Sequence, residues 1–138
     1  MNRIDFLKKI VGVGFLGMIG KQTNKCQITN TYDATEIYRS YVRGLVYSSG
    51  KVLIKNLIKD TPINMIREPK NEYDDFAIAL YVQNQKIGYV PAEDNIIHSN
   101  LLHAKHGRYT AEITAINHDA PHWEQVEFRI MSHQSILT

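Results

Sequence analysis

Six short runs of β-forming residues, separated by turn-forming residues, constrain the fold of this chain more than any other feature of its sequence. The runs are rich in Val, Ile, Tyr and Thr, and breaks such as Ser48-Ser49-Gly50 and Asp60-Thr61-Pro62 keep them apart. The run at 77–82 is apolar on both faces, which predicts a strand in the interior of a sheet. The predicted strands are 36–47, 63–67, 77–82, 86–90, 108–117 and 126–130.

Two short helices are expected between these strands. The apolar residues from Val52 to Ile58 have the spacing of one helix face. A second helix begins after Pro91, has acidic residues in its first turn, and runs to about Lys105, with Gly107 as its carboxyl-terminal cap. The order β-α-β-β-β-α-β-β predicts a mainly β domain with two short helices (α+β), which forms a small, partly open β-barrel rather than a parallel sheet.

The amino-terminal residues differ in character from the rest of the chain. Basic residues precede 10–20, an uncharged run of eleven residues, and a helix needs roughly 20 residues to cross a bilayer. A basic region followed by an apolar run of this length is typical of an export signal. Residues 3–8 resemble a twin-arginine signal with Ile4 in place of the second arginine. The alternative is an amphipathic helix that packs on the domain or contacts a membrane through residues 3–20.

An export signal would place the protein in the periplasm, outside the cell or at a membrane, and without one the protein would be cytoplasmic.

Composition divides the chain into four segments. The segments are the export-signal-like or amphipathic residues 1–25, a polar linker at 26–35, the domain at 36–132 and a tail at 133–138.

Charge and cysteine content exclude several classes of protein. The net charge is +2, but five cations and one anion give residues 1–25 a charge of +4, which leaves −2 for residues 26–138. A slightly acidic domain is not a general binder of polyanions, because nonspecific nucleic-acid affinity comes from many Lys or Arg contacts to phosphate. The single cysteine excludes a disulfide framework and a Cys-rich zinc site.

The turn at 67–78 concentrates charged and aromatic residues between two predicted strands, and binding groups often lie on such turns. Asn71 and Asp74 have two readings. They either contact a ligand or close the turn through bonds from side chain to backbone. For Glu68 a structural role is favoured, and Gly44 and Gly88 are expected to permit close approach of the backbone.

The sequence predicts no catalytic residue, metal ligand or cofactor site. Residues His98, His103 and His106 do not fall on one helix face, so the six histidines are interpreted as surface residues. No Ser-His-Asp arrangement, P-loop or dinucleotide-binding motif is present in the sequence. An enzyme that uses Asp74 or His122 is the weakest of the alternatives.

Residues 37–130 resemble a HIRAN domain. The pattern includes Val42-x-Gly44-Leu45-x-Tyr47 and then Arg67-Glu68-Pro69-x-Asn71-x-Tyr73-Asp74-x-x-Ala77-Ile78. It continues with Lys86-Ile87-Gly88-Tyr89-Val90-Pro91 and Asp94-Asn95. The ending Pro121-His122-Trp123-Glu124-x-Val126 is similar to that of free-standing bacterial members.

The resemblance implies an OB-like barrel. In DNA-repair remodelling enzymes this domain captures the 3′-hydroxyl end of single-stranded DNA, and the domain itself is not catalytic. It implies an aromatic stacking face and a carboxylate that accepts the terminal hydroxyl. Tyr47 matches an aromatic residue that stacks on the end bases, and Glu72 replaces the proline of the family's turn. The expected nucleic-acid-binding residues are Arg43, Tyr47, Arg67, Lys70, Asn71, Tyr73, Asp74 and Tyr89.

Two positions depart from the DNA-binding members. Val46 stands where those members have an arginine, and Ala92 where they have a lysine, so two charge-assisted contacts to phosphate are lost. Arg43, Arg67 and Lys70 remain as candidate phosphate partners. The alternative function is an exported β-barrel protein that binds a peptide, glycan or small molecule.

Overall fold

A computed structural model describes residues 32–48, 50–105 and 107–135, and strands are the main regular secondary structure of this part of the chain. The helices are α1 (Gly50–Leu53) and α2 (Asn95–Ala104), and 3-10 turns lie at Leu45–Tyr47, Ile54–Asn56 and His122–Glu124. The strands are β1 (Tyr32–Tyr41), β2 (Pro62–Arg67), β3 (Ile78–Val82), β4 (Gln85–Tyr89), β5 (Arg108–Ile116) and β6 (Val126–Ser135).

All neighbouring strands pair antiparallel, in the order β1-β6-β5-β2-β3-β4. The prediction of a mainly β fold with two short helices and an incompletely closed sheet is confirmed. The predicted interior strand is also confirmed, because β3 lies between β2 and β4 and four of its five residues are buried.

A single bridge brings the two ends of the sheet together. Arg43, just after β1, exchanges backbone hydrogen bonds of 2.9 and 2.8 Å with Tyr89 at the end of β4. The backbones approach closely here, since a Cβ on Gly88 would lie 2.3 Å from the carbonyl oxygen of Arg43 and 2.5 Å from Cγ1 of Val42. Glycine at this position therefore allows the sheet to curl into a partly open barrel.

The core lies on the concave side of this curled sheet. In β6, Val126, Phe128 and Ile130 are buried while the residues between them are partly exposed, as the alternation predicted. Since burial of one such side chain stabilises a fold by about 1.5–3 kcal/mol, these positions hold the sheet in shape. The buried apolar residues with no exposed surface are Ile78, Ala79, Leu80, Ile87, Ile113, Val126 and Phe128.

The first predicted strand, 36–47, differs from the observed β1 at both ends. β1 begins at Tyr32, inside the proposed linker, because it pairs with β6 up to Ser135, inside the proposed tail. Its polar residues are exposed at the sheet edge, where backbone pairing requires no apolar pattern. The strand ends at Tyr41 because Gly44 adopts a left-handed φ of 72° and starts a 3-10 turn.

The expected export signal, the membrane contact of residues 3–20 and His106 lie outside the described residues. Within the described part of the chain, no helix combines the length and apolar character needed to cross a membrane.

Candidate functional site

A cavity of about 610 Å³ opens where the turn after β2 meets the segment after β1 and the start of α2. Small and apolar side chains such as Ala77, Val90 and Ala92 contribute to its wall, and polar residues surround them. The lining residues are Arg43, Gly44, Tyr47, Ser48, Asn71, Glu72, Tyr73, Asp74, Ala77, Lys86, Tyr89, Val90, Ala92 and Asn95.

Six of the eight residues predicted to bind nucleic acid line this cavity; these are Arg43, Tyr47, Asn71, Tyr73, Asp74 and Tyr89. The fold thus brings together residues that are up to 46 positions apart in the sequence. Tyr47 and Tyr73 are 92% and 91% exposed, so their rings lie in solvent. Two flat apolar surfaces are therefore available to a ligand at one cavity.

Arg67 and Lys70 do not line the cavity. The guanidinium of Arg67 points to α2, where Nε donates to Ser99 Oγ at 3.0 Å and Nη1 donates to His103 Nδ1 at 3.0 Å. Lys70 is exposed on the turn.

The side chain of Asn71 shapes the turn that carries Tyr73. Its Oδ1 accepts from the backbone N–H groups of Tyr73 at 2.9 Å and Asp74 at 3.2 Å, and its Nδ2 donates to Glu68 Oε1 at 3.1 Å. These bonds close an Asx-type turn. The structural reading of Asn71 is confirmed, and the turn that it closes leaves the ring of Tyr73 in solvent.

Asp74 is held from both sides of its carboxylate. Oδ1 accepts from the Phe76 backbone N–H at 2.8 Å, and Oδ2 accepts from Asn95 Nδ2 at 2.6 Å. Each carboxylate oxygen has two lone pairs, so each can accept one further hydrogen bond. Asp74 therefore closes the turn and also presents acceptors at the cavity wall.

Glu68 joins β2 to β4 through a compact polar network. Lys86 Nζ donates to Glu68 Oε2 and to Tyr89 Oη, each at 2.9 Å, and Tyr89 Oη donates to Glu68 Oε1 at 2.8 Å. Burial raises the pKa of Glu68, but hydrogen bonds from Lys86, Tyr89 and Asn71 outweigh burial and leave the pKa lowered. Hydrogen bonds to Tyr89 and Glu68 raise the pKa of Lys86, so the ammonium stays charged.

The cavity is not basic. Its two cations already have partners, since Arg43 pairs with Glu93 at 3.3 Å and Lys86 pairs with Glu68 at 2.9 Å. Glu72 also lines the cavity and adds negative charge.

Sequence reasoning did not name Lys86, Ser48 or Asn95 as cavity residues. Lys86 and Asn95 belong to the motifs that carried the resemblance, which was the available signal. Ser48 had no such signal; its hydroxyl donates to the carbonyl of Ile87 at 2.7 Å, which ties the segment after β1 to β4.

The histidines do not form a metal site in the described part of the chain, where no group of three or more His, Cys, Asp or Glu residues could hold an ion. Two of them are not simple surface residues. His98 is half-buried against the ring of Tyr38, with 4.5 Å between the ring centroids. His133 lies in β6, where Nε2 is 2.7 Å from Thr110 Oγ1.

Two solved structures have a similar fold. A structure of a protein from Lactobacillus plantarum has a TM-score of 0.63 at 20% identity and covers 75% of this chain and 98% of its own. The HIRAN domain of human HLTF has a TM-score of 0.60 at 16% identity and covers 75% of this chain and 81% of its own. At these identities the similarity shows a shared fold. No curated protein matched the chain.

A family model gives the assignment. The model of the HIRAN domain matches residues 36–134, which include all six strands in whole or in part and every cavity-lining residue. HIRAN domains are generally non-catalytic binding modules, and this match supports a nucleic-acid-binding domain. Because the match extends over most of its 138 residues, the chain belongs to the HIRAN domain family.

Proposed function

We propose that this protein is a non-catalytic module that captures the free 3′ end of single-stranded DNA in the cavity beside Tyr73. The observation that carries the proposal is the arrangement of two almost fully exposed tyrosine rings, Tyr47 and Tyr73, at a cavity lined by the fixed carboxylate of Asp74. Family membership supports the same class of ligand.

The tyrosine rings supply stacking energy. A base stacked on an aromatic side chain gains about 1–3 kcal/mol, and every base offers such a face. Tyr47 and Tyr73 are already in solvent, so a base reaches them without rearrangement of the core. The stacking therefore selects an unpaired base and not a particular sequence.

The carboxylate of Asp74 supplies selectivity for the end. It accepts a hydrogen bond from a terminal hydroxyl, which an internal phosphodiester lacks. A terminal phosphate would bring negative charge next to Asp74 and Glu72, and like charges at close range repel. A free 3′-hydroxyl is therefore the end group that binds next to Asp74.

The cations at the cavity have a secondary role. Arg43 and Lys86 reach a phosphate only by sharing or leaving their carboxylate partners. Affinity thus depends mainly on stacking and on the terminal hydroxyl, and we expect it to be modest.

Fluorescence anisotropy with the full-length chain tests the proposal. The ligands are one single-stranded oligonucleotide with a 3′-hydroxyl and the same oligonucleotide with a 3′-phosphate. A hydrogen bond to a charged group contributes about 1.5–3 kcal/mol, so the wild type should prefer the hydroxyl end by at least about tenfold. Asp74→Ala should lose most of this preference, and the remainder would come from repulsion of the phosphate by Glu72.

The matched control is Asp75→Ala. Asp75 is the exposed neighbour of Asp74 and does not line the cavity, so this variant should keep the wild-type preference. Equal affinity of the wild type for the two ends, or an undiminished preference in Asp74→Ala, would contradict the proposal.

A second candidate function is the binding of a ligand without phosphate, such as a peptide, glycan or small molecule. The pairing of both cavity cations and the small side chain of Ala92 favour it, because neither feature helps to hold a phosphate. Failure of both oligonucleotides to bind in the same assay would favour this candidate.

A further inference from the structure

Helix α2 carries two buried polar side chains, one turn apart. Asn95 is 2% exposed and Ser99 is fully buried. A buried polar group without a hydrogen bond is costly, so the partners of these two residues are informative. Ser99 accepts from Arg67, away from the cavity, whereas Asn95 donates to Asp74 at the cavity wall.

The hydrogen bond from Asn95 to Asp74 determines the orientation of the carboxylate group. The amide Nδ2 lies 2.6 Å from Oδ2, while the backbone N–H of Phe76 lies 2.8 Å from Oδ1. One donor on each oxygen fixes the plane of the carboxylate. Because Asn95 is itself buried at the start of a helix, its amide has little freedom to move.

The chemistry of the donor matters as much as its position. An amide donates a hydrogen bond but carries no charge, so Asn95 adds no positive charge beside the carboxylate of Asp74. A lysine or arginine in the same place would neutralise the carboxylate and reduce its repulsion of a terminal phosphate. Asparagine therefore orients Asp74 and preserves its negative charge.

We propose that Asn95 is a positioning residue that sets the selectivity for a hydroxyl end, by holding the carboxylate of Asp74 with its remaining acceptor sites toward the cavity. This inference rests on the proposed capture of DNA ends. In this inference, α2 controls which end group the cavity accepts, although it contributes one lining residue.

The test compares Asn95→Leu with Ser99→Ala in the full-length chain. Leucine has a similar size but no donor, and Ser99→Ala removes the other buried polar group of the same helix. The quantity measured is the ratio of the Kd for the 3′-phosphate oligonucleotide to the Kd for the 3′-hydroxyl oligonucleotide. We expect Asn95→Leu to lower this ratio at least about fivefold, as loss of about 1 kcal/mol of hydrogen bonding implies.

The affinity of Asn95→Leu for the phosphate end should change little, and Ser99→Ala should keep the wild-type ratio. An equal loss of affinity for both ends would show a purely structural role and overturn the inference. If Asn95→Leu does not fold, Asn95→Ala removes the amide donor and adds neither bulk nor charge, so it should also lower the ratio. A wild-type ratio in the folded Asn95 variants overturns the inference.

The same data separate this inference from the proposed function. A wild-type protein that does not distinguish the two ends refutes both. A wild type that prefers the hydroxyl end, together with Asn95 variants that prefer it equally, refutes the role of Asn95 alone.

Discussion

At the scale of single residues, Tyr47 and Tyr73 stand out because their rings contribute almost nothing to the core. Both are more than 90% exposed, whereas Tyr89 in the same cavity is tied into the network with Lys86 and Glu68. Large exposed aromatic rings are typical of binding surfaces. The two exposed tyrosines can thus be changed with little effect on folding, which allows binding and stability to be measured separately.

Replacement of Tyr73 by alanine should weaken binding of the 3′-hydroxyl oligonucleotide by about 5- to 150-fold, the equivalent of about 1–3 kcal/mol of stacking. The urea midpoint of unfolding should stay unchanged, since the side chain is 91% exposed. Anisotropy and urea titration measure the two quantities. Tyr73→Phe keeps the ring and should bind like the wild type; an alanine variant with wild-type affinity would exclude stacking on this residue.

At the scale of secondary-structure elements, the curl of the sheet depends on the bridge between Arg43 and Tyr89. Gly88→Ala would push a Cβ into the Arg43 carbonyl and Val42, and overpacking of this kind costs about 1–3 kcal/mol. We therefore expect a lower free energy of unfolding in urea, together with weaker binding, because the bridge lies at the cavity.

Gly44→Ala is the matched control for this prediction. Gly44 also has a positive φ, of 72°, but a Cβ there would meet only Tyr89 Cδ2 at 3.8 Å. Its cost should be limited to the left-handed backbone, about 1–2 kcal/mol. If Gly88→Ala is no more destabilising than Gly44→Ala, close approach of the backbones does not explain the glycine.

Elements with a clear apolar pattern were predictable from the sequence. The apolar run at 77–82 placed β3 within one residue of its observed limits, and the alternation at 126–130 placed the start of β6 correctly. β6 continues to Ser135, five residues beyond the predicted end. β1 was less predictable, because an edge strand is defined by its backbone pairing with β6, and its side chains are largely exposed. Such pairing joins residues as far apart in the sequence as Tyr32 and Ser135, which a local pattern does not encode.

The candidate site was predictable to a similar degree. The resemblance supplied Tyr73 and Asp74, and the turn chemistry of Asn71 followed from its residue type. The contacts of Asp74 with Asn95 and of Glu68 with Lys86 connect residues 21 and 18 positions apart. They arise from the packing of α2 and β4 against the turn and therefore required the folded structure.

At the scale of the whole molecule, rings from three elements link α2 to the sheet. Tyr38 of β1 contacts His98 of α2 at 4.5 Å and Phe128 of β6 at 5.9 Å between centroids. Tyr38 also donates to Asp94 Oδ2 at 2.9 Å. Burial lowers the pKa of His98 despite the opposing effect of Asp94, and its buried Nδ1 has no hydrogen-bond partner among the described residues.

This environment predicts that stability falls as the pH drops below about 6.5, the ordinary pKa of histidine. The unfolded chain binds a proton there while folded His98 stays neutral, so the folded state loses stability as the pH falls through the lowered pKa. Urea unfolding at pH 7.5 and 5.5 measures the effect. His98→Phe keeps a ring and should show a smaller pH dependence; an unchanged dependence would exclude His98 as its source.

The ion pairs at the cavity also determine how binding responds to ionic strength. A protein that contacts phosphates with free cations releases counterions from DNA, and its affinity falls steeply as salt is added. Here Arg43 and Lys86 already have their counter-charges within the protein, in Glu93 and Glu68. Capture of an end through stacking and one hydroxyl displaces few ions. We therefore expect the proposed capture of free ends to be nearly independent of the salt concentration.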